Sequence, residues 1–140
     1  MEPFTIDKEL EYELEELYTI SKNWASNLVF IEDEITGLKK ELFHSMCPDL
    51  QDDTLERAQE LNLKMNRLSF DFAHMHQKLP SHLKMLEYLV THPGGVLQIG
   101  LIESHAQLDI RNRRIFSLFM EIKEQMGLLT QLNAVSTLEH

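Results

Sequence analysis

The longest regular pattern in the chain covers residues 10–42, which read LEYELEELYTISKNWASNLVFIEDEITGLKKEL. Within this stretch one set of positions recurs in alternating steps of four and three residues, and all of its members but one are apolar: Leu10, Leu14, Leu17, Ser21, Trp24, Leu28, Ile31, Ile35, Leu38 and Leu42. This spacing places an apolar stripe at the a and d positions of a heptad repeat. It predicts a long helix over about 7–44, with Asp7 as its N-cap and Pro48 beyond its end.

Two later segments carry the same repeat. A second stripe runs from Leu61 to Leu89 and predicts a helix over about 53–91. Pro80 lies inside it, and because the stripe keeps its register across the proline, we expect a kink rather than a stop. After the break at Pro93-Gly94-Gly95, a third stripe from Leu101 to Leu129 predicts a helix over about 99–131.

Three helical segments of similar length, joined by short connectors, predict an all-α fold. We expect a long antiparallel, up-down-up three-helix bundle with left-handed, coiled-coil-like packing. The 140 residues are one domain's worth, so residues 1–137 are predicted to form a single domain. Residues 138–140, which read Leu-Glu-His, are interpreted as the remnant of a purification tag.

Composition restricts the partners. Lys and Arg number 13 against 23 Asp and Glu, a formal net charge of −10, which disfavours binding to nucleic acids and to anionic membranes. No apolar run approaches the roughly 20 residues of a spanning helix, and the N-terminus lacks the features of a secretion signal, so a cytoplasmic protein is expected. The one cysteine, Cys47, excludes an internal disulfide.

Acidic residues are concentrated in residues 1–20, which carry seven carboxylates against one lysine, Lys8. This pattern is typical of a solvated helix face with acids near the helix N-terminus. The alternative is a docking patch for a basic partner, whose binding would weaken with salt.

Polar residues interrupt the apolar stripes at Ser21, His82, His105 and Asn112. Antiparallel pairing places Ser21, His76 and Asn112 at about one height and His82 beside His105 at another. We expect these groups to bond one another or water and to fix the register of the helices, as a buried asparagine does in coiled coils. The alternative is a small polar pocket or a metal site at these levels.

A metal site or an active site finds little support in the sequence. His74 and His76 point about 200° apart on a helix, and no acid occupies an a or d position of the stripes. Cys47 has His44 one turn earlier but no orienting group or oxyanion site. We therefore predict no enzymatic activity, no catalytic residue, no metal and no cofactor.

Several large apolar residues fall outside the stripes and would face water in a lone bundle. They share the half of the predicted bundle toward the first connector: Val29, Phe30, Leu63, Phe70 and Met120. We expect self-association through this half. The alternatives are a different protein partner and no interface at all, since scattered exposed apolar residues are normal. The sequence thus predicts a non-enzymatic helical bundle acting through protein–protein contact, as a homodimer or an adaptor. A bundle that binds a small ligand or metal at its polar breaks is the alternative.

Overall fold

The computed structural model describes residues 3–45, 52–92 and 99–138, with side chains described over 9–44, 53–92 and 100–131. Within these residues the chain forms three α-helices and no strand. They are α1 (Pro3–Ser45), α2 (Asp52–Thr91) and α3 (Ile99–Leu138). The described residues confirm the all-α class and are consistent with a helical bundle.

At two places the helices extend beyond the sequence estimates by four residues or more. α1 begins at Pro3 rather than near Asp7, because the fixed φ of proline suits the first turn of a helix. α3 runs to Leu138 rather than ending near Gln131, and residues 132–138 contain no glycine or proline that would stop it. The connectors that carry Cys47, Pro48 and Pro93-Gly94-Gly95 lie outside the described residues, as do residues 139–140 of the expected tag remnant.

α2 continues as a helix across Pro80, which is exposed, while Leu79 and His82 on either side of it are buried. The apolar stripe is thus buried both before and after the proline. At the end of α2, the backbone N–H of His92 donates to the carbonyl of Tyr88 at 3.0 Å, which satisfies one of the last carbonyls.

The chain divides into two compact units, each built from part of every helix. The first unit comprises Met1–Leu28 and Ala73–Arg113. Its core includes a cluster of Leu14, Leu86 and Leu101, one residue from each helix. The partly buried residues that pack on this cluster are Leu10, Leu17, Tyr18, Leu89 and Val90.

The second unit comprises Val29–Phe72 and Arg114–His140. Its buried apolar side chains again come from all three described helices, namely Ile31, Ile35 and Leu42 of α1, Ala58, Leu61, Met65, Leu68 and Phe72 of α2, and Ile115, Leu118, Phe119, Ile122, Met126 and Leu129 of α3. Burial of each of these side chains except Ala58 contributes on the order of 1.5–3 kcal/mol, so these stripes dominate the stability of the unit.

Candidate functional site

The most polar part of the interior lies in the first unit, where an aromatic residue of α1 meets one histidine from each of the other helices. The indole of Trp24 stacks on the imidazole of His105, with ring centroids 4.7 Å apart. His105 Nδ1 lies 3.0 Å from His82 Nε2, a hydrogen-bond distance. We call Trp24, His82 and His105 the histidine cluster. The predicted pairing of His82 with His105 is present.

Burial sets the protonation state of this cluster. Burial, and after it the repulsion from a positive charge on His105, lower the pKa of His82 from 6.5 to about 4. Burial also lowers the pKa of His105, an effect that the carboxylate of Asp109 partly offsets. Both imidazoles are therefore neutral at pH 7, so that one ring N–H donates to the lone pair of the other ring.

Ser21 lies one helical turn before Trp24 on the α1 stripe and is fully buried. Its hydroxyl oxygen makes no hydrogen bond to any described residue. The sequence places Ser21 in the core correctly, but the expected polar partner is not found among the described residues. A buried hydroxyl left in this state costs about 1–3 kcal/mol.

The remaining residues of the predicted core polar layer are less buried. His76 is exposed, which differs from the expected core position, because it lies beside the α2 stripe at an e position rather than on it. Asn112 occupies an a position of α3 and is half-buried. The arrangement that the structure describes is therefore a histidine pair stacked on an indole, together with a separate buried hydroxyl.

The second unit carries the apolar residues that the sequence places outside the stripes. All five are between 50% and 72% exposed: Val29, Phe30, Leu63, Phe70 and Met120. Leu63 and Phe70 lie seven residues apart and therefore on one face of α2. These five residues, here called the outer apolar set, are large side chains that the described chain does not cover.

One buried acid was not predicted. Asp71 is only 2% exposed, and its Oδ1 lies 4.0 Å from Arg114 Nη1. It flanks the α2 stripe at a g position, so the heptad pattern alone does not show whether a neighbouring helix covers it. Two further ion pairs involve basic side chains, since Lys64 Nζ of α2 bonds Glu121 Oε1 of α3 at 2.6 Å and Arg113 pairs with Asp109 within α3.

The described residues contain neither a metal site of three or more side chains nor a segment suited to cross a membrane. No group of three or more His, Cys, Asp or Glu side chains there is placed to hold a metal ion. Glu41 and His44 have the Glu-x-x-His spacing of di-iron bundles, but such sites use two of these pairs, and both residues are exposed. None of the helices, as far as they are described, has the length and apolar character needed to cross a membrane.

Comparison with protein-family models, with curated proteins and with solved structures found no match for this sequence.

Proposed function

We propose that the chain is a non-enzymatic helical-bundle protein that acts through protein–protein contact, as a homodimer or as an adaptor. The observation that carries this proposal is the outer apolar set of the second unit, which includes two exposed phenylalanines, Phe30 and Phe70. Large apolar side chains left exposed on one helix face, as Leu63 and Phe70 are on α2, are typical of interaction sites, and aromatic side chains are frequent anchors in them.

We further propose the up-down-up, left-handed topology and a kink at Pro80. Contacts within each unit support the antiparallel direction of α2 and α3. In the first unit, His82 of α2 contacts His105 of α3. Leu86 follows His82 by four residues and packs in one cluster with Leu101, which precedes His105 by four residues. In the second unit, Lys64 of α2 pairs with Glu121 of α3, and Asp71 lies near Arg114. The contact moves seven residues forward along α2 and seven residues back along α3, as in antiparallel helices.

A symmetric dimer is the simplest form of the proposed self-association, because one patch then contacts its own copy. The α2 face that carries Leu63 and Phe70 suits this arrangement, since two copies of α2 lying parallel would bury these side chains against each other. The proposal includes a cytoplasmic setting and excludes nucleic acids and membranes as partners, in line with the net charge of −10.

The test is size-exclusion chromatography with light scattering on Phe70→Glu. We expect the wild type to be a dimer at high micromolar concentration and Phe70→Glu to be monomeric with unchanged helicity, because the variant places a carboxylate in an apolar contact. Tyr12→Glu is the matched control: Tyr12 is 71% exposed and Phe70 72%, but Tyr12 belongs to the first unit. A monomeric wild type, or equal dissociation by both variants, would contradict the homodimer.

The histidine cluster favours a second candidate, a bundle that binds a metal ion at its polar breaks. The imidazoles of buried His82 and half-buried His105 are neutral and have nitrogens 3.0 Å apart, and Zn²⁺ binds such nitrogens at about 2.0–2.1 Å. Calorimetric titration of tag-free protein with zinc chloride tests it. Binding of one ion per chain that His82→Leu abolishes would support a metal site, while absence of heat at millimolar zinc would eliminate it.

A further inference from the structure

One face of α1 in the second unit forms a shallow groove of about 600 Å³. Its lining residues are spaced as one side of a helix: Phe30, Asp33, Glu34, Gly37, Leu38 and Glu41. We call this surface the α1 groove. It overlaps the outer apolar set at Phe30 alone.

The apolar floor of the groove combines a projecting ring with an open notch. Phe30 is exposed and Leu38 is half-buried. Gly37 follows Phe30 by seven residues, so it lies on the same face. A Cβ built on Gly37 would meet nothing within 4 Å, so packing inside this chain does not require a glycine there.

The glycine has a cost, because glycine inside a helix is about 1 kcal/mol less favourable than alanine. A backbone position without a side chain allows another helix to approach closely. No helix of the described chain makes such an approach at Gly37. A second helix lying on this face would contact the exposed ring of Phe30 and would come closest to the backbone at Gly37.

The charge of the groove's lining residues determines which kind of helix it can bind. Three of the six lining residues are carboxylates, Asp33, Glu34 and Glu41. A second copy pressing the same face would oppose three carboxylates with three more. Two of the five arginines of such a copy already lie near carboxylates of their own chain, Arg113 near Asp109 and Arg114 near Asp71.

We propose that the α1 groove binds a basic amphipathic helix of another protein, with an apolar stripe on Phe30 and Gly37 and flanking Lys or Arg side chains on the acidic rim. This inference deepens the proposed function, because it rests on action through protein contact. It does not require the homodimer.

The probe is a fluorescein-labelled amphipathic peptide of leucine and lysine, about 18 residues long, with a scrambled peptide and a leucine–glutamate peptide as controls. Fluorescence anisotropy at low salt measures binding to the full chain. We expect a Kd on the order of 10 μM for the amphipathic leucine–lysine peptide and at least tenfold weaker binding of both controls.

Gly37→Gln is the main variant, because it fills the notch while improving helix propensity. We expect it to weaken binding at least about tenfold with helicity retained. Gly127→Gln is its matched control, since Gly127 is also helical with open space around a built Cβ, and it should bind like the wild type.

The charge variant is Asp33→Asn with Glu34→Gln, which we expect to weaken binding and to flatten its salt dependence. The control, Glu15→Gln with Glu16→Gln, changes the net charge equally in the first unit and should leave binding within about twofold of the wild type. The proposal would be overturned if the scrambled peptide bound as tightly as the amphipathic one, if Gly37→Gln bound like the wild type, or if no binding were seen. The outcome is separate from that of Phe70→Glu, which tests self-association.

Discussion

Ser21 gives the chain a local defect at a buried position. Its side chain is fully buried and its hydroxyl bonds no described residue, so burial removes the hydroxyl from water without a replacement. Replacing this serine by alanine would remove only one oxygen atom and would change the packing little. The defect therefore affects stability through polarity rather than through packing.

We predict that Ser21→Ala stabilises the protein by about 1 kcal/mol or more, because it removes the unsatisfied hydroxyl. Urea unfolding followed by circular dichroism gives the change. Ser26→Ala, at an exposed position of the same helix, isolates the contribution of helix propensity, about 0.5 kcal/mol. If both substitutions give the same gain, the buried hydroxyl carries no penalty.

His82 makes stability depend on pH. Its pKa in the folded state, about 4, is below the 6.5 of an unfolded histidine, so the folded state binds fewer protons. The contribution is fully present above pH 6.5 and is lost as the pH falls from 6.5 toward 4. The lowered pKa of His105 acts in the same direction.

We therefore predict that the free energy of unfolding falls by about 2 kcal/mol between pH 7 and pH 5 because of His82. Chemical unfolding at the two pH values should show this loss in the wild type and a much smaller loss in His82→Gln, which cannot titrate. His92→Gln, at an exposed site, is the control. A wild-type slope retained in His82→Gln would assign the effect to other groups.

At the scale of the helices, the heptad pattern predicts the interior of α1 well. Trp24, Leu28, Ile31 and Ile35 are all buried, because their spacing alone determines the face on which they lie. The outer apolar set is exposed for the same reason. The pairing of His82 with His105 also followed from the sequence, since short connectors limit how far antiparallel helices can slide.

The pattern could not predict the burial of Asp71 or the exposure of His76. Both flank the α2 stripe, at g and e positions, where burial depends on how closely a neighbouring helix approaches. The α1 groove was missed for a related reason. A glycine on an outer face looks neutral in a hydropathy pattern, and only the coordinates show the space beside it.

The ion pair between α2 and α3 leads to a prediction for Arg114. Arg114→Gln should destabilise the protein by about 1 kcal/mol or more, because it removes positive charge next to the buried carboxylate of Asp71. Arg113→Gln is the control, since Arg113 makes an i,i+4 pair and is mostly exposed, and its loss should cost about 0.5 kcal/mol or less. Urea unfolding measures both, and equal costs would show that Asp71 does not depend on Arg114.

For the whole molecule, the net charge of −10 acts on every association. Two copies repel each other, whereas a basic helix is attracted, so added salt should affect the two contacts in opposite directions. We predict that raising NaCl from about 20 to about 300 mM strengthens self-association and weakens binding of the leucine–lysine peptide. Sedimentation equilibrium and anisotropy measure the two. Parallel salt responses would show that charge does not distinguish the partners.

The stacking of Trp24 on His105 gives the molecule its own optical reporter. The chain has one tryptophan, and its indole is buried in the first unit. Because protonated imidazole quenches indole fluorescence, acid should dim the emission while the indole is still buried. A later shift of the emission maximum to longer wavelength would mark entry of water. Tryptophan fluorescence therefore reports on the first unit and not on the second.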